Sequence, residues 1–336
     1  MSYAYDTLKL EKGMYRQSDK SFSQILESLD PSEGYKGTSI DGLDAFQRQL
    51  KRFGIRVKGA QSDRVERFFM SSETAVLFPE FVARAVRQGM EEKNILPAIT
   101  AAITRFDGLD YRTIRTASAP SDAVTAEGAA LPEIGIRTDD NLVALKKRGQ
   151  LLTASYESIR YQRLDLFSVA LRQIGSHIMQ MHLKDAVAAL DDADITAYAV
   201  GDSTIGGTAG SLSYDEVLAF WAEFNPYELN TILASNDVVL ELLKLSQFQN
   251  PEAGLDFQGT GKLVTPLGAT LIPSAALAKG TMIGMDRRYA LEMVTASELD
   301  IESDKLIDRQ LERAAIVSVA GFAKIFPDAS KKLELE

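Results

Sequence analysis

Apolar residues recur along this chain with two periods, and the longest regular stretch carries the helical one. Between positions 163 and 190, Phe167, Leu171, Ile174, Ile178 and Met181 return at steps of three and four, which marks one face of a helix. No proline interrupts the stretch and Gly175 is its one glycine. At about 1.5 Å per residue it predicts a spine of roughly 40 Å. Shorter helices are expected at 21–29, closed by Asp30-Pro31, and at 41–53, with Leu43, Phe46 and Leu50 on one side. Another is expected at 80–90, with Pro79 in its opening turn. Residues 212–224 predict a helix entered at Ser213, with Glu216 placed as in a capping box, and residues 236–245 follow an Asn/Asp start. Short strands are expected within 103–114, around Gly108, and at 231–234, 282–285 and 289–294, with a turn and strand over 263–273 and a nearly continuous strand-forming run at 305–326.

Two regions depart from these patterns. Residues 1–70 are interrupted by glycines at 34, 37, 42, 54 and 59 and offer few apolar side chains, so they read as an arm without its own core, ordered by packing on something else. Residues 117–133 are small and polar, with Pro120 and Pro132 near their ends, yet their flanks alternate as strands do, through Ile134, Ile136, Leu142 and Ala144. Together they predict a long two-stranded excursion. Such a hairpin is unstable alone and leaves sheet edges open, so it is expected to lie on a neighbour.

Composition narrows the class. Hydrophobic residues make up 45% of the 336, enough for a real core, and the absence of cysteine removes disulfides, thiolate metal sites and cysteine nucleophiles. The opening MSYAYDTLKLEK lacks the apolar centre of a signal peptide, and the run 314–323 is too short to span a bilayer. A soluble protein made inside the cell, with no membrane partner, is the expectation. The net charge of −10 is uneven: residues 1–70 sum to +2, and positions 46–67 hold seven basic against two acidic residues. That asymmetry turns the segment, with Arg48, Lys51 and Arg52, toward an acidic partner, which another copy of the chain could supply; a solvated basic helix face is the alternative.

Candidate chemistry does not converge. His177 and His182 stand five residues apart on the spine, about 140° around a helix, with no carboxylate in the pattern of a zinc helix. Asp191, Asp192 and Asp194 lack the glycine and distal glutamate of a calcium loop and read as a solvated helix end. The fragment 258–262, ending Gly261-Lys262, has Asp256 where a phosphate loop needs its first glycine and Leu263 where it needs Ser or Thr. Trp221 reads as a packing residue. With no Gly-x-Ser-x-Gly elbow and no His-Glu-x-x-His helix, the chain is read as a non-enzyme, with no catalytic, cofactor-binding or metal-ligating residue nominated.

One stretch resembles a known family. Ala126-Glu127-Gly128-Ala129-Ala130-Leu131-Pro132-Glu133, then Leu142 to Leu145, Lys146-Lys147 in a turn, an apolar strand from Leu151 and the entry Ser155-Tyr156-Glu157 are similar to the extended loop of tailed-bacteriophage major capsid proteins. Gly268-Ala269-Thr270-Leu271-Ile272-Pro273 and Ile283-Gly284-Met285-Asp286 are similar to the axial domain of that family, and 305–326 to its closing strand. The resemblance covers roughly residues 71–330.

It implies an α+β capsid fold divided into an N-terminal arm (1–70), a helix leading into the peripheral domain (71–102), an extended loop (103–154), a peripheral domain with the spine helix (155–200), an axial domain (201–285) and a return to the peripheral domain (286–336). It further implies pentamers and hexamers closing into an icosahedral shell around double-stranded DNA, assembled in the bacterial host cytoplasm. Portal and scaffold or decoration proteins would be partners. Glu127, Gly128, Pro132, Glu133, Lys146 and Lys147 of the loop, with Arg48, Lys51 and Arg52 of the arm, are the expected contacts between copies. An encapsulin-like compartment is the nearest alternative, and a small-oligomer ligand-binding protein the alternative from another class.

Overall fold

Hydroxyl, carboxylate and carboxamide side chains write several of the helix starts. Ser21 accepts from the Gln24 backbone N–H while the Gln24 side chain accepts in return from the Ser21 backbone N–H, and Asp44 with Gln47, Ser71 with Thr74 and Ser213 with Glu216 repeat the device. The computed structural model describes residues 4–16, 20–108, 110–116, 124, 125, 127, 131, 136–138, 142–191, 196–199, 212–249, 265 and 267–335. Its first elements are α1 (Ala4–Thr7), α2 (Phe22–Leu29), α3 (Ala45–Arg52), α4 (Ser72–Glu92), α5 (Leu96–Ile99), β1 (Ala102–Arg105), β2 (Ile114–Thr116), β3 (Ile136–Thr138) and β4 (Lys146–Ser155). Then come α6 (Tyr156–Tyr161), α7 (Leu164–Leu190), β5 (Thr196–Ala199), α8 (Tyr214–Ala222), β6 (Thr231–Ala234), α9 (Asn236–Lys244) and α10 (Ser246–Gln249). The last are β7 (Thr270–Pro273), β8 (Thr281–Met285), β9 (Leu291–Leu306), β10 (Leu311–Lys324) and β11 (Ser330–Glu334). Among the described residues, no helix is long and apolar enough to cross a membrane.

Two compact units interleave along the chain. The first comprises Met1–Lys93, Arg148–Met179 and Leu299–Ser318; the second comprises Asn94–Lys147, Gln180–Glu298 and Val319–Glu336.

In the first unit, α4 and α7 meet backbone to backbone. A Cβ on Gly175 would stand 2.0 Å from the Val86 carbonyl oxygen, and one on Gly89 would stand 2.0 Å from that of Arg172. Two glycines therefore set the closeness of the crossing, which no larger residue permits. The buried face of α7 is accordingly Leu164, Leu171, Gly175 and Ile178, whereas Phe167, Ile174 and Met181 of the expected stripe are only half-buried. Apolar periodicity found Leu171 and Ile178 but missed Gly175 between them, which has no side chain.

Helix α4 corrects a second expectation. It starts at Ser72, not at Pro79, and runs through the proline. Where the ring disturbs the ladder, the Tyr15 hydroxyl steps in: it donates to the Val76 carbonyl at 2.8 Å and accepts from the Glu80 N–H at 3.1 Å. Val76 and Glu80 are an i, i+4 pair, so a side chain from 65 residues away replaces one rung. Burial, then the nearby Glu80 carboxylate, pushes the Tyr15 phenol pKa up, which keeps it a donor.

Residues 20–70 pack on α4 within the same compact unit, where Phe68 meets Phe78 and Phe81 and Asp44 pairs with Arg84. Phe22, Ile25, Leu26, Tyr35, Ile40, Phe46, Leu50, Val65 and Phe68 are all buried within the chain. Arg48 lies at 0% exposure among them, its guanidinium donating to the Asp30 carboxylate at 2.7 Å, to Ser32 Oγ and to the Leu43 carbonyl. Tyr35 donates to the same carboxylate, and its ring lies under the guanidinium. Polar residues supply part of this interior.

The second unit holds a five-stranded sheet in the order β5-β11-β8-β6-β7, in which β8 is antiparallel to both neighbours. Val217, Phe220 and Phe224 from α8 and its exit, Val238 and Leu242 from α9, and Ile232, Leu271, Met282 and Leu333 from the strands share one core. A four-stranded sheet has the order β1-β9-β10-β4. Its strand β9 extends to Leu306, twelve residues beyond the strand end expected at Val294. The expected single run at 305–326 divides at a 3-10 turn, Ile307–Arg309, and at Gln310, whose φ is +53°. Of the turn and strand expected at 263–273, the described residues show a turn at Gly268 and the strand Thr270–Pro273. The glycine-rich fragment 258–262 lies outside them, as do Asp192 and Asp194.

Candidate assembly surfaces

The limb that follows β1 within the second unit is rooted by one carboxylate. Glu292, on β9 beside Ala102 of β1, accepts hydrogen bonds from Thr104 Oγ1 at 2.6 Å, the Tyr111 hydroxyl at 2.5 Å and Thr113 Oγ1 at 2.8 Å. Burial first, and Glu292 second, raise the Tyr111 phenol pKa above its ordinary value, so it remains the donor. The returning side is tied in where the Val143 N–H donates to the Tyr111 carbonyl at 2.9 Å. Gly321 of β10 leaves room for this return: a Cβ there would lie 2.9 Å from the Ala144 carbonyl oxygen. Gly149 does the same on β4, where a Cβ would lie 2.3 Å from the Ile316 carbonyl oxygen.

Beyond the root the limb pairs only with itself among the described residues. Strands β2 and β3 are antiparallel, with Ile114 opposite Thr138 and Thr116 opposite Ile136. Ile103, Ile114, Val124, Leu131, Leu142 and Leu151 are exposed, Val124 at 98% and Leu131 at 77%. An isolated exposed leucine needs no explanation, but four large aliphatic side chains between β1 and β4, Ile114, Val124, Leu131 and Leu142, do.

The residues expected to touch another copy fall into three sets. Glu127 is exposed in a turn, whereas Gly128, Pro132 and Glu133 lie outside the described residues. Lys146 and Lys147 are exposed on strand β4 and not in a turn, and Lys146 Nζ stands 3.0 Å from the buried Asp185 carboxylate. A cavity of about 140 Å³ lies beside that pair, lined by Ala144, Ala188, Ala189, Ala320, Gly321 and Phe322. In the third set Lys51 is exposed, Arg52 donates to the Leu8 carbonyl at 2.6 Å, and Arg48 is the buried residue described above. Arg48 is thus corrected from a contact with another copy to an internal ion pair, because its guanidinium is already enclosed. The two histidines diverge as their spacing requires: His177 is exposed and His182 is buried. Among the described residues, no group of three or more His, Cys, Asp or Glu side chains could hold a metal ion.

Glu292 and its hydroxyl partners were missed by sequence reasoning. The alternation Tyr111, Thr113 is visible, but nothing local links it to a carboxylate about 180 residues later.

A model of the phage capsid protein family matches residues 138–325, more than half of the chain. No curated protein matches it. The capsid of a native GTA particle shares the fold with a TM-score of 0.54 at 12% identity, over 71% of this chain and 89% of that one. A structure from Mycobacterium phage Che8 gives 0.51 at 15% identity, over 68% and 85%. The holo-SrpI encapsulin complex from Synechococcus elongatus gives 0.50 at 12%, over 71% and 86%. At these identities the likeness is one of fold: the mixed helix-and-sheet architecture common to phage capsids and encapsulins.

Proposed function

This chain belongs to the phage capsid protein family, and we propose that it is the major capsid protein of a tailed phage or prophage, assembling as pentamers and hexamers into an icosahedral shell around double-stranded DNA. Its work is structural and not enzymatic, that of a shell component. The observation that carries the finer reading is the limb of residues 103–154, clamped at its root by Glu292 and exposing aliphatic side chains along its length. A ring of copies needs head-to-tail contacts between unlike surfaces, and a projecting limb that lies on the next copy supplies one. Each contact can be weak, because every copy is held by several neighbours at once. Glu127, Gly128, Pro132, Glu133, Lys146, Lys147, Lys51 and Arg52 remain the proposed contact residues. Portal and scaffold or decoration proteins are the proposed further partners, and the cytoplasm of the bacterial host the proposed place of assembly. The net charge of −10 is compatible with an inner wall that does not hold DNA tightly.

A second reading, an encapsulin-like compartment, is favoured by the likeness to the Synechococcus elongatus complex. Contents separate the two. Particles purified from the native source and treated with nuclease are expected to retain protected double-stranded DNA. Particles that hold protein and no nucleic acid would establish the compartment instead. A chain that forms only small oligomers would return the ligand-binding alternative.

A further inference from the structure

A 3-10 turn at Val65–Phe69 sorts its side chains by threes. The Arg67 N–H donates to the Arg64 carbonyl at 3.0 Å, and side chains three apart eclipse on such a turn. Val65 and Phe68 accordingly are buried, while Arg64, Arg67 and Met70 share the outer side and are exposed. Each arginine is steered by an uncharged group. The Arg64 guanidinium lies over the exposed Tyr161 ring, 5.7 Å from its centroid, and Arg67 Nη1 stands 3.2 Å from Met70 Sδ.

A second cationic loop runs alongside. Arg67 Nη2 lies 3.9 Å from where a Cβ on Gly54 would stand, at the start of the chain leading into residues 56–63. That loop is closed by the Arg56 N–H to the Asp63 carboxylate at 2.7 Å and by the Asp63 N–H to the Arg56 carbonyl at 2.8 Å. Arg163 donates to the Gly59 and Ala60 carbonyls at its tip, and Arg56 and Lys58 are exposed on it. Other bases of this region have acids: Arg52 stands 3.8 Å from Glu73 and Arg163 stands 3.4 Å from Asp165. Among the described residues, Arg56, Lys58, Arg64 and Arg67 form no ion pair, although the chain holds 47 acidic residues. Asp63 and Glu66, the acids of the same stretch, are half-buried. A guanidinium stacked on an aromatic ring, with no carboxylate at hand, is suited to gripping the paired oxygens of a phosphate.

We propose that Arg64 and Arg67, with Arg56 and Lys58 beside them, form a contact for the phosphate backbone of double-stranded DNA. The proposal rests on the reading of the chain as a shell around such DNA, and it names the residues that touch it. Four cations on a chain of net charge −10 make a contact that is weak, independent of base sequence and sensitive to salt.

The experiment is fluorescence anisotropy of a labelled short duplex titrated with the full-length chain, below its assembly concentration and across a range of salt. Each phosphate contact adds about 0.9 to the slope of log affinity against log salt, so the unsubstituted chain is expected to show roughly −3 to −4. Arg64→Gln with Arg67→Gln, and separately Arg56→Gln with Lys58→Gln, are each expected to reduce that slope by about 1.8 and to weaken binding roughly tenfold or more. Circular dichroism is expected to stay unchanged, and having two pairs keeps the test decisive should one variant fail to fold. Arg64→Lys with Arg67→Lys is expected to preserve the slope. Absence of binding at low salt, or an unchanged slope in either folded pair, would overturn the proposal. Lost particles with unchanged DNA binding would overturn it too, since the surface would then meet another copy. Failure of the unsubstituted chain to close into shells would instead overturn the shell reading and leave the measured DNA contact standing.

Discussion

Residues 20–70 are polar in sequence and fold inward, whereas residues 103–154 carry aliphatic side chains and leave many of them in water. The difference lies in where each group finds its partner. Arg48 would be costly to bury, yet Asp30, Ser32 and the Leu43 carbonyl satisfy it inside the chain. Leu131 and Val124 would be easily buried, yet both are exposed. Charge alone therefore did not mark an assembly surface here, and apolarity alone did not mark a core.

The contrast can be broken first from the inward side. Arg48→Met strands the Asp30 carboxylate at 1% exposure, and breaking a buried pair in this way costs about 3–5 kcal/mol. Urea unfolding should show the loss, and an unchanged midpoint would mean the pair is not internal. Gly175→Ala is the next largest. Its Cβ must displace the Val86 carbonyl, an overpacking worth about 1–3 kcal/mol, read as a lower thermal midpoint.

The root of the limb gives an intermediate effect. Glu292→Gln keeps an acceptor but loses the charge that strengthens three hydrogen bonds, so about 1 kcal/mol of stability should go. Hydrogen exchange should quicken around residues 104–113. The smallest effect on the isolated chain belongs to the limb itself. Leu131→Ser with Leu142→Ser should shift stability by less than about 0.5 kcal/mol, as surface changes do, while particle yield collapses. A stability loss as large as that of Arg48→Met would erase the distinction between the two regions.

Much of this was legible locally. The capping pairs at Ser21 and Ser213, the span of the spine helix and strands β6 and β8 all follow from neighbours within a few residues. What escaped depends on groups far away in sequence. Pro79 reads as a helix start until Tyr15 bridges the interrupted rung, and Arg48 reads as a solvated base until Asp30 closes over it. Gly89 and Gly175 form the crossing of α4 and α7, a contact made of absent side chains, to which a hydrophobic pattern is blind. The limb was legible as a two-stranded excursion because its turn chemistry is local. Its clamp was not, because Glu292 lies in the other half of the chain.

The decisive measurement is electron microscopy of the purified full-length chain under assembly conditions. Closed shells of uniform size are expected, with the limb of each copy lying on its neighbour. A population of monomers or small open oligomers, with the limb uncovered in each, would contradict the reading of the chain as a shell protein.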